Sequence, residues 1–305
     1  MFLQILKRKL IPILIVMVLS AVFWIDKATA SETVKLAYVP WSSEIASSYL
    51  VKAVLEEKLG YHCQLVDLKA DKMWEAVATG KADAMVSAWL PDVHGHYYDQ
   101  FKDQVVNLGP NLQGTKAGLV VPDISVGRFT TGTGLRNRPI LSVNTIAELK
   151  EHTNDFRSRI IGIDREAGIM KMAQNAIEVY GLDNFRLIEG SEVSMIAELS
   201  HAIRHRRSVA VTGWTPHWIF ARWQLKFLED PENIFGDKGH INTIVRKKLQ
   251  SDMPEVYRFL DRFHWKPEQM EQLMMWNQQE QGLFPYENAL RWINTNKETV
   301  SSWLK

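Results

Sequence analysis

A chain of 305 residues, 46% apolar and 23% charged, holds enough apolar material for one large or two medium folded domains. Its formal net charge of +1 offers nothing for a nucleic acid to recognise, and its one cysteine, Cys63, excludes an internal disulfide. Eleven tryptophans are many for this length and leave room for a functional subset.

The N-terminus reads as a leader. Lys7, Arg8 and Lys9 precede an apolar run over 10–25, interrupted only by Pro12 and Ser20, and Ala28-Thr29-Ala30 supplies small residues before Ser31. This is the pattern of a secretory signal peptide over residues 1–30. The run is shorter than the roughly 20 residues of a bilayer span, so cleavage is the main expectation and an uncleaved inner-membrane anchor the alternative. No cysteine follows the leader to carry a lipid. The expectation is therefore an exported, monomeric protein of a bacterial periplasm.

Residues 34–39 predict the first strand. Ile45, Tyr49, Val51, Val54, Leu55 and Leu59 recur at helical spacing, and Gly60 ends that helix. Residues 62–68 predict a second strand, with Cys63 as a plain core thiol; 72–78 predict a short helix and 84–89 a third strand. This βαβαβ order implies a parallel sheet with right-handed crossovers. A looser segment follows from His94, then a strand over 117–121 that stops at Pro122. Residues 123–139, with Thr130-Thr131-Gly132-Thr133-Gly134, read as an exposed loop.

A second βαβαβ unit is predicted from strands at 160–163, 185–188 and 209–212 and helices at 168–180 and 193–205. Two such units imply two lobes with a cleft between them. The first lobe is expected over 34–118 and 225–305, the second over 119–224, so the chain crosses twice. Beyond Pro231 the sequence reads as helices beginning at Pro254, Pro267 and Pro285. Their aromatic residues, with Trp74, read as core.

Catalytic signatures are missing: no Gly-x-Ser-x-Gly, no phosphate-binding Gly-x-x-x-x-Gly-Lys loop and no Gly-x-Gly-x-x-Gly occurs. His201 and His205 have zinc-compatible spacing, but Arg204, Arg206 and Arg207 around them make a solvated basic face the better reading. His94-Gly95-His96 provides too few ligands for a metal. Neither a metal nor a cofactor is expected, and no enzyme.

The tryptophans carry more. Three predicted strands each run into a tryptophan beside a proline: Trp41 after Pro40, Trp89 before Leu90-Pro91, and Trp214 before Thr215-Pro216. Open α/β sheets place ligands at the carboxyl ends of their strands. Converging indoles suit a quaternary ammonium, which offers diffuse charge and methyl surface but no hydrogen-bond donor. Gly168-Ile169, at the start of a helix, presents backbone N–H groups to an anion, and His94 is close enough in sequence to Trp89 to add a donor. Cage and anion site together describe a zwitterion with a trimethylammonium at one end and a carboxylate at the other.

These residues resemble a known family, the glycine betaine/proline betaine substrate-binding proteins of ABC-type osmoprotectant importers. The similarity runs through Pro40-Trp41-Ser42-Ser43-Glu44-Ile45-Ala46, Val86-Ser87-Ala88-Trp89-Leu90-Pro91, Leu108-Gly109-Pro110-Asn111, Ala167-Gly168-Ile169-Met170 and Gly213-Trp214-Thr215-Pro216-His217-Trp218. The resemblance implies a two-lobed, type II periplasmic-binding α/β fold, each lobe a mostly parallel sheet flanked by helices. It implies a cage of Trp41, Trp89 and Trp214, with the carboxylate held by the N–H groups of Gly168 and Ile169 and by the His94 side chain; His217 is a lesser candidate. It also implies delivery to a permease with its ATPase. Choline or carnitine as ligand, or a membrane-anchored ligand sensor, are the alternatives. The chain departs from the family pattern at Ser42, where relatives often carry Asp, and at Asp164-Arg165-Glu166-Ala167, where a Pro/Gly-bearing turn is usual.

Overall fold

Three parallel strands begin the fold, as the alternation of apolar runs and helical spacing requires. The computed structural model describes residues 32–123 and 143–305; the expected leader at 1–30 and almost all of the 123–139 loop lie outside the described residues. β1 (Thr33–Tyr38) lies between β2 (His62–Asp67) and β3 (Ala84–Leu90), parallel to both. The crossovers are the helices Ser42–Lys58 and Ala70–Ala78. The first of these buries Leu50, Val51, Val54 and Leu55 completely and is closed by Gly60, whose φ of 73° belongs to a helix-ending glycine. Every residue of β3 is buried, which explains its unbroken run of small and apolar side chains.

Two strands differ from expectation. β4 (Val105–Pro122) is far longer than the predicted 117–121. Gly109 and Gly114, with φ of 93° and 84°, and Pro110 break its pattern, and its register shifts around these positions. A strand, β9 (Gly239–Arg246), also occupies the stretch beyond Pro231 that reads as helical. It runs antiparallel between β3 and β4. Ile241 to Val245 are all buried, so neither alternation nor helical spacing marks them. The first sheet is therefore mixed at its inner edge.

β4 joins the lobes. Its residues 105–115 pair with β9, and from Lys116 to Val120 it pairs with β7 (Ala210–Thr215). Beyond β7 come β5 (Arg159–Ile161) and β6 (Arg186–Ile188), all parallel, with the helices Gly168–Val179 and Glu192–Arg204 as crossovers. The continuous order is β2-β1-β3-β9-β4-β7-β5-β6, with β8 (Leu225–Phe227) added on β4. β8 pairs with Val120–Pro122, and Glu229 bridges Thr145, so residues 225–229 stay with the second lobe. Asp230 and the Glu232 N–H also bond the Tyr180 hydroxyl at the end of the Gly168–Val179 helix.

The C-terminal helices start at Pro254, Pro267 and Pro285, as read, and a last helix covers Lys297–Trp303. They bury Phe259, Phe263, Trp265, Trp292 and Trp303 in one aromatic cluster, with Trp292 stacked on Trp303 at 5.9 Å. No helix among the described residues is long and apolar enough to cross a membrane.

Candidate ligand-binding site

Trp41, Trp89 and Trp214 come together. Trp41 precedes the Ser42–Lys58 helix and its carbonyl accepts the Ile45 N–H at 2.8 Å. Trp89 and Trp214 lie within β3 and β7, paired with Ile241 and Ala117, rather than past the strand ends as expected. The three line one small cavity between the lobes. The three residues are 6%, 6% and 5% exposed, so the cavity they line is largely screened from water. The Trp41 and Trp214 rings are 6.5 Å apart and tilted by 53°. Val93, Ala117, Ile163 and Ala167 complete an apolar wall; as single small or branched residues in loops and strands they carried no sequence signal.

His94, Gly168 and Ile169 line the same cavity. His94 and Trp89 are locked reciprocally: the His94 N–H donates to the Trp89 carbonyl at 2.7 Å, and the Trp89 N–H donates to His94 Nδ1 at 3.2 Å. Nδ1 is thus an acceptor, which puts the proton on Nε2 as a donor. Burial, helped by His96, holds the imidazole down to about 3, so it stays neutral at physiological pH. Gly168 and Ile169 open a helix of 12 residues, where the first N–H groups lack intrahelical acceptors. Gly168 is required by packing as well: a Cβ there would come within 1.7 Å of the Val93 carbonyl oxygen across the cleft.

His217 does not line the cavity. It is fully buried behind Trp214, ring to ring at 4.8 Å. Its Nδ1 accepts the Ile219 N–H, leaving Nε2 to donate to Glu192 at 2.9 Å. Its motif position beside Trp214 suggested the ligand, but the short turn through Pro216 sends it to Glu192 instead.

Sequence reasoning missed the residues that bridge the lobes around this cavity. The Trp41 indole N–H donates to Asp164 at 2.8 Å. Glu192 accepts the Ser42 N–H at 2.7 Å and the Ser42 hydroxyl at 2.5 Å, and the Trp218 indole N–H reaches that hydroxyl at 3.2 Å. Tyr97 donates to the Glu166 carbonyl at 2.7 Å, and Lys69 pairs with the Glu166 side chain. Two of these positions, Ser42 and the Asp164–Ala167 turn, are those where the sequence departs from the family pattern. The acidic turn was the available signal. His201 and His205 stand far from this arrangement, on an exposed helix end with rings 4.1 Å apart.

Two α/β lobes joined through a shared strand, with an aromatic cavity closed between them, define a substrate-binding protein of the type II periplasmic-binding fold. Residues 32–295 match the family model for the substrate binding domain of ABC-type glycine betaine transport systems. The crystal structure of lactococcal OpuAC in its closed-liganded conformation, complexed with glycine betaine, matches at a TM-score of 0.81 and 36% identity, covering 90% of this chain and 100% of that one. The glycine/betaine/L-proline-binding protein ProX from Borrelia burgdorferi matches at 0.81 and 34% identity, over 90% and 97%. Glycine betaine/carnitine transport binding protein GbuC of Listeria monocytogenes is 44% identical over 146 residues, 47% of this chain and 48% of GbuC. The chain thus spans about half the length of that curated relative. It belongs to the family of substrate binding domains of ABC-type glycine betaine transport systems, which bind and do not catalyse.

Proposed function

We propose that this protein captures a betaine, glycine betaine or proline betaine, outside the cytoplasmic membrane and hands it to an ABC permease driven by its ATPase. The observation that carries this is one cavity whose lining holds three tryptophans together with the Gly168-Ile169 helix start and His94, whose Nδ1 is engaged as an acceptor. Each desolvated indole face contributes on the order of 1–2 kcal/mol toward a quaternary ammonium, and a micromolar site needs roughly 8 kcal/mol in all. The cage supplies a large share, and the carboxylate end supplies charge-assisted hydrogen bonds. Choline has no carboxylate and would leave that end idle, which favours a betaine. Export through the leader at 1–30 and a monomeric, periplasmic protein complete the proposal.

Calorimetric titration with glycine betaine, proline betaine, carnitine and choline tests it. Betaines are expected to bind most tightly. Trp41→Ala, Trp89→Ala and Trp214→Ala should each weaken binding at least tenfold, in line with about 1.4 kcal/mol per decade, without loss of the folded state by circular dichroism. Unchanged affinity in all three variants would sink the reading.

A further inference from the structure

We infer that Asp164 is a specificity-determining residue of this site: its carboxylate, brought from the second lobe to the Trp41 indole N–H, makes the cage prefer a cationic headgroup to an uncharged one of the same shape. The inference rests on the reading of Trp41 as a cage wall.

Trp41 follows β1 in the first lobe, and Asp164 lies in the turn between β5 and the Gly168–Val179 helix of the second. The indole has a single polar atom, Nε1, and it donates to Asp164 Oδ2 at 2.8 Å in a partly buried setting. A carboxylate acceptor makes this bond short and strong, and so fixes the rotation of the ring that faces the cavity. It also acts electronically. Negative charge at the N–H edge pushes electron density into the ring and adds its own field, and both deepen the negative potential over the indole face. A cation on that face gains; a neutral group of equal size does not.

The other charges of the turn are engaged elsewhere. Arg165 pairs with Glu189 at 2.9 Å, and Glu166 pairs with Lys69 at 2.8 Å. Asp164 forms no ion pair within contact distance among the described residues, feels Lys69 only at longer range, and has the Trp41 indole N–H as the hydrogen-bond donor to its carboxylate. Because donor and acceptor belong to different lobes, the Asp164 charge reaches the cage only when the cleft is closed. Closure and selection for charge are then one event.

The test compares glycine betaine with 3,3-dimethylbutanoate, in which carbon replaces the quaternary nitrogen, by titration or by displacement of bound glycine betaine. Asp164→Asn keeps an oxygen acceptor for Trp41 and removes the charge. It is expected to weaken glycine betaine about tenfold while leaving 3,3-dimethylbutanoate unchanged or tighter. Equal weakening of both ligands would reduce Asp164 to a lobe-bridging hydrogen bond and overturn the inference, as would unchanged affinity for glycine betaine. Asp164→Ala, which also removes the acceptor, is expected to weaken both ligands, the betaine more. Trp41→Ala separates the two levels: if it leaves glycine betaine binding intact, the cage reading itself fails, whereas a damaging Trp41→Ala with a silent Asp164→Asn overturns this inference alone.

Discussion

Glu44 is 1% exposed in the first turn of the helix that Trp41 precedes. One of its oxygens accepts the Val39 N–H at 3.2 Å and the other makes no hydrogen bond. Burial pushes the carboxyl up to about 8, against the Val39 N–H and the Ser87 and Trp89 side chains, with Glu192 adding to the rise. The folded protein therefore keeps a proton that the unfolded chain gives up near the ordinary carboxylate value of 4.5. Stability should fall as pH rises from there to about 8, by at most roughly 1.4 kcal/mol per pH unit. His94, with its imidazole held down, works oppositely: its contribution is lost as pH drops below 6.5. Thermal melts between pH 6.5 and 9 isolate Glu44. The melting temperature of the wild type should decline over that range, while Glu44→Gln should be flat and the more stable of the two at the alkaline end. Parallel curves would show that Glu44 ionises normally.

At the scale of elements, the proposed anion end depends on how closely one helix start approaches a loop of the other lobe. Gly168 faces the Val93 carbonyl, a backbone atom that cannot swing aside as a side chain would. Gly168→Ala should hold the lobes apart by about the width of a methyl group. The expected result is a loss of glycine betaine affinity of at least tenfold with a nearly unchanged melting temperature, because the clash exists only in the closed form. Normal affinity would mean that closure is looser than this contact requires. The same loop shows why its chemistry was legible early. Trp89 and His94 are five residues apart around Pro91, and their two reciprocal hydrogen bonds are local. Glu192, by contrast, reads from sequence only as the first residue after the helix cap Ser191. Nothing nearby in the chain shows that its carboxylate is spoken for by Ser42 and His217.

For the whole molecule, we propose that the lobes close by a two-state rearrangement biased by whatever bridges the cleft. Ser42 and Glu192 form such a bridge, joined on the second-lobe side by His217 and Trp218. Hydrogen bonds to a charged group contribute roughly 1.5–3 kcal/mol each. Ser42→Ala removes the hydroxyl and keeps the N–H donor, so it should weaken glycine betaine about tenfold, chiefly through faster release. Stopped-flow tryptophan fluorescence measures that release, and small-angle scattering should record a larger open population at subsaturating ligand. If release is unchanged, ligand contacts alone hold the lobes shut.

What sequence determined here was whatever a short stretch encodes within itself. The βαβαβ units came from periodicity, the helix starts from their prolines, and the proposed cage from three tryptophans placed beside prolines. The proposed Gly168-Ile169 anion end came from a helix beginning with glycine. Tertiary structure alone decided which strands share a sheet: β9, without periodicity, became a central strand, and β4 changed partners midway to join the lobes. It also sent His217 behind the cage instead of into it, and gave Asp164 and Glu192 their partners. Those contacts join residues 123 and 150 positions apart. A local pattern constrains only the neighbours that a turn of helix or a strand pair brings close, whereas the closing bonds of this cleft exist only once two separately built lobes meet.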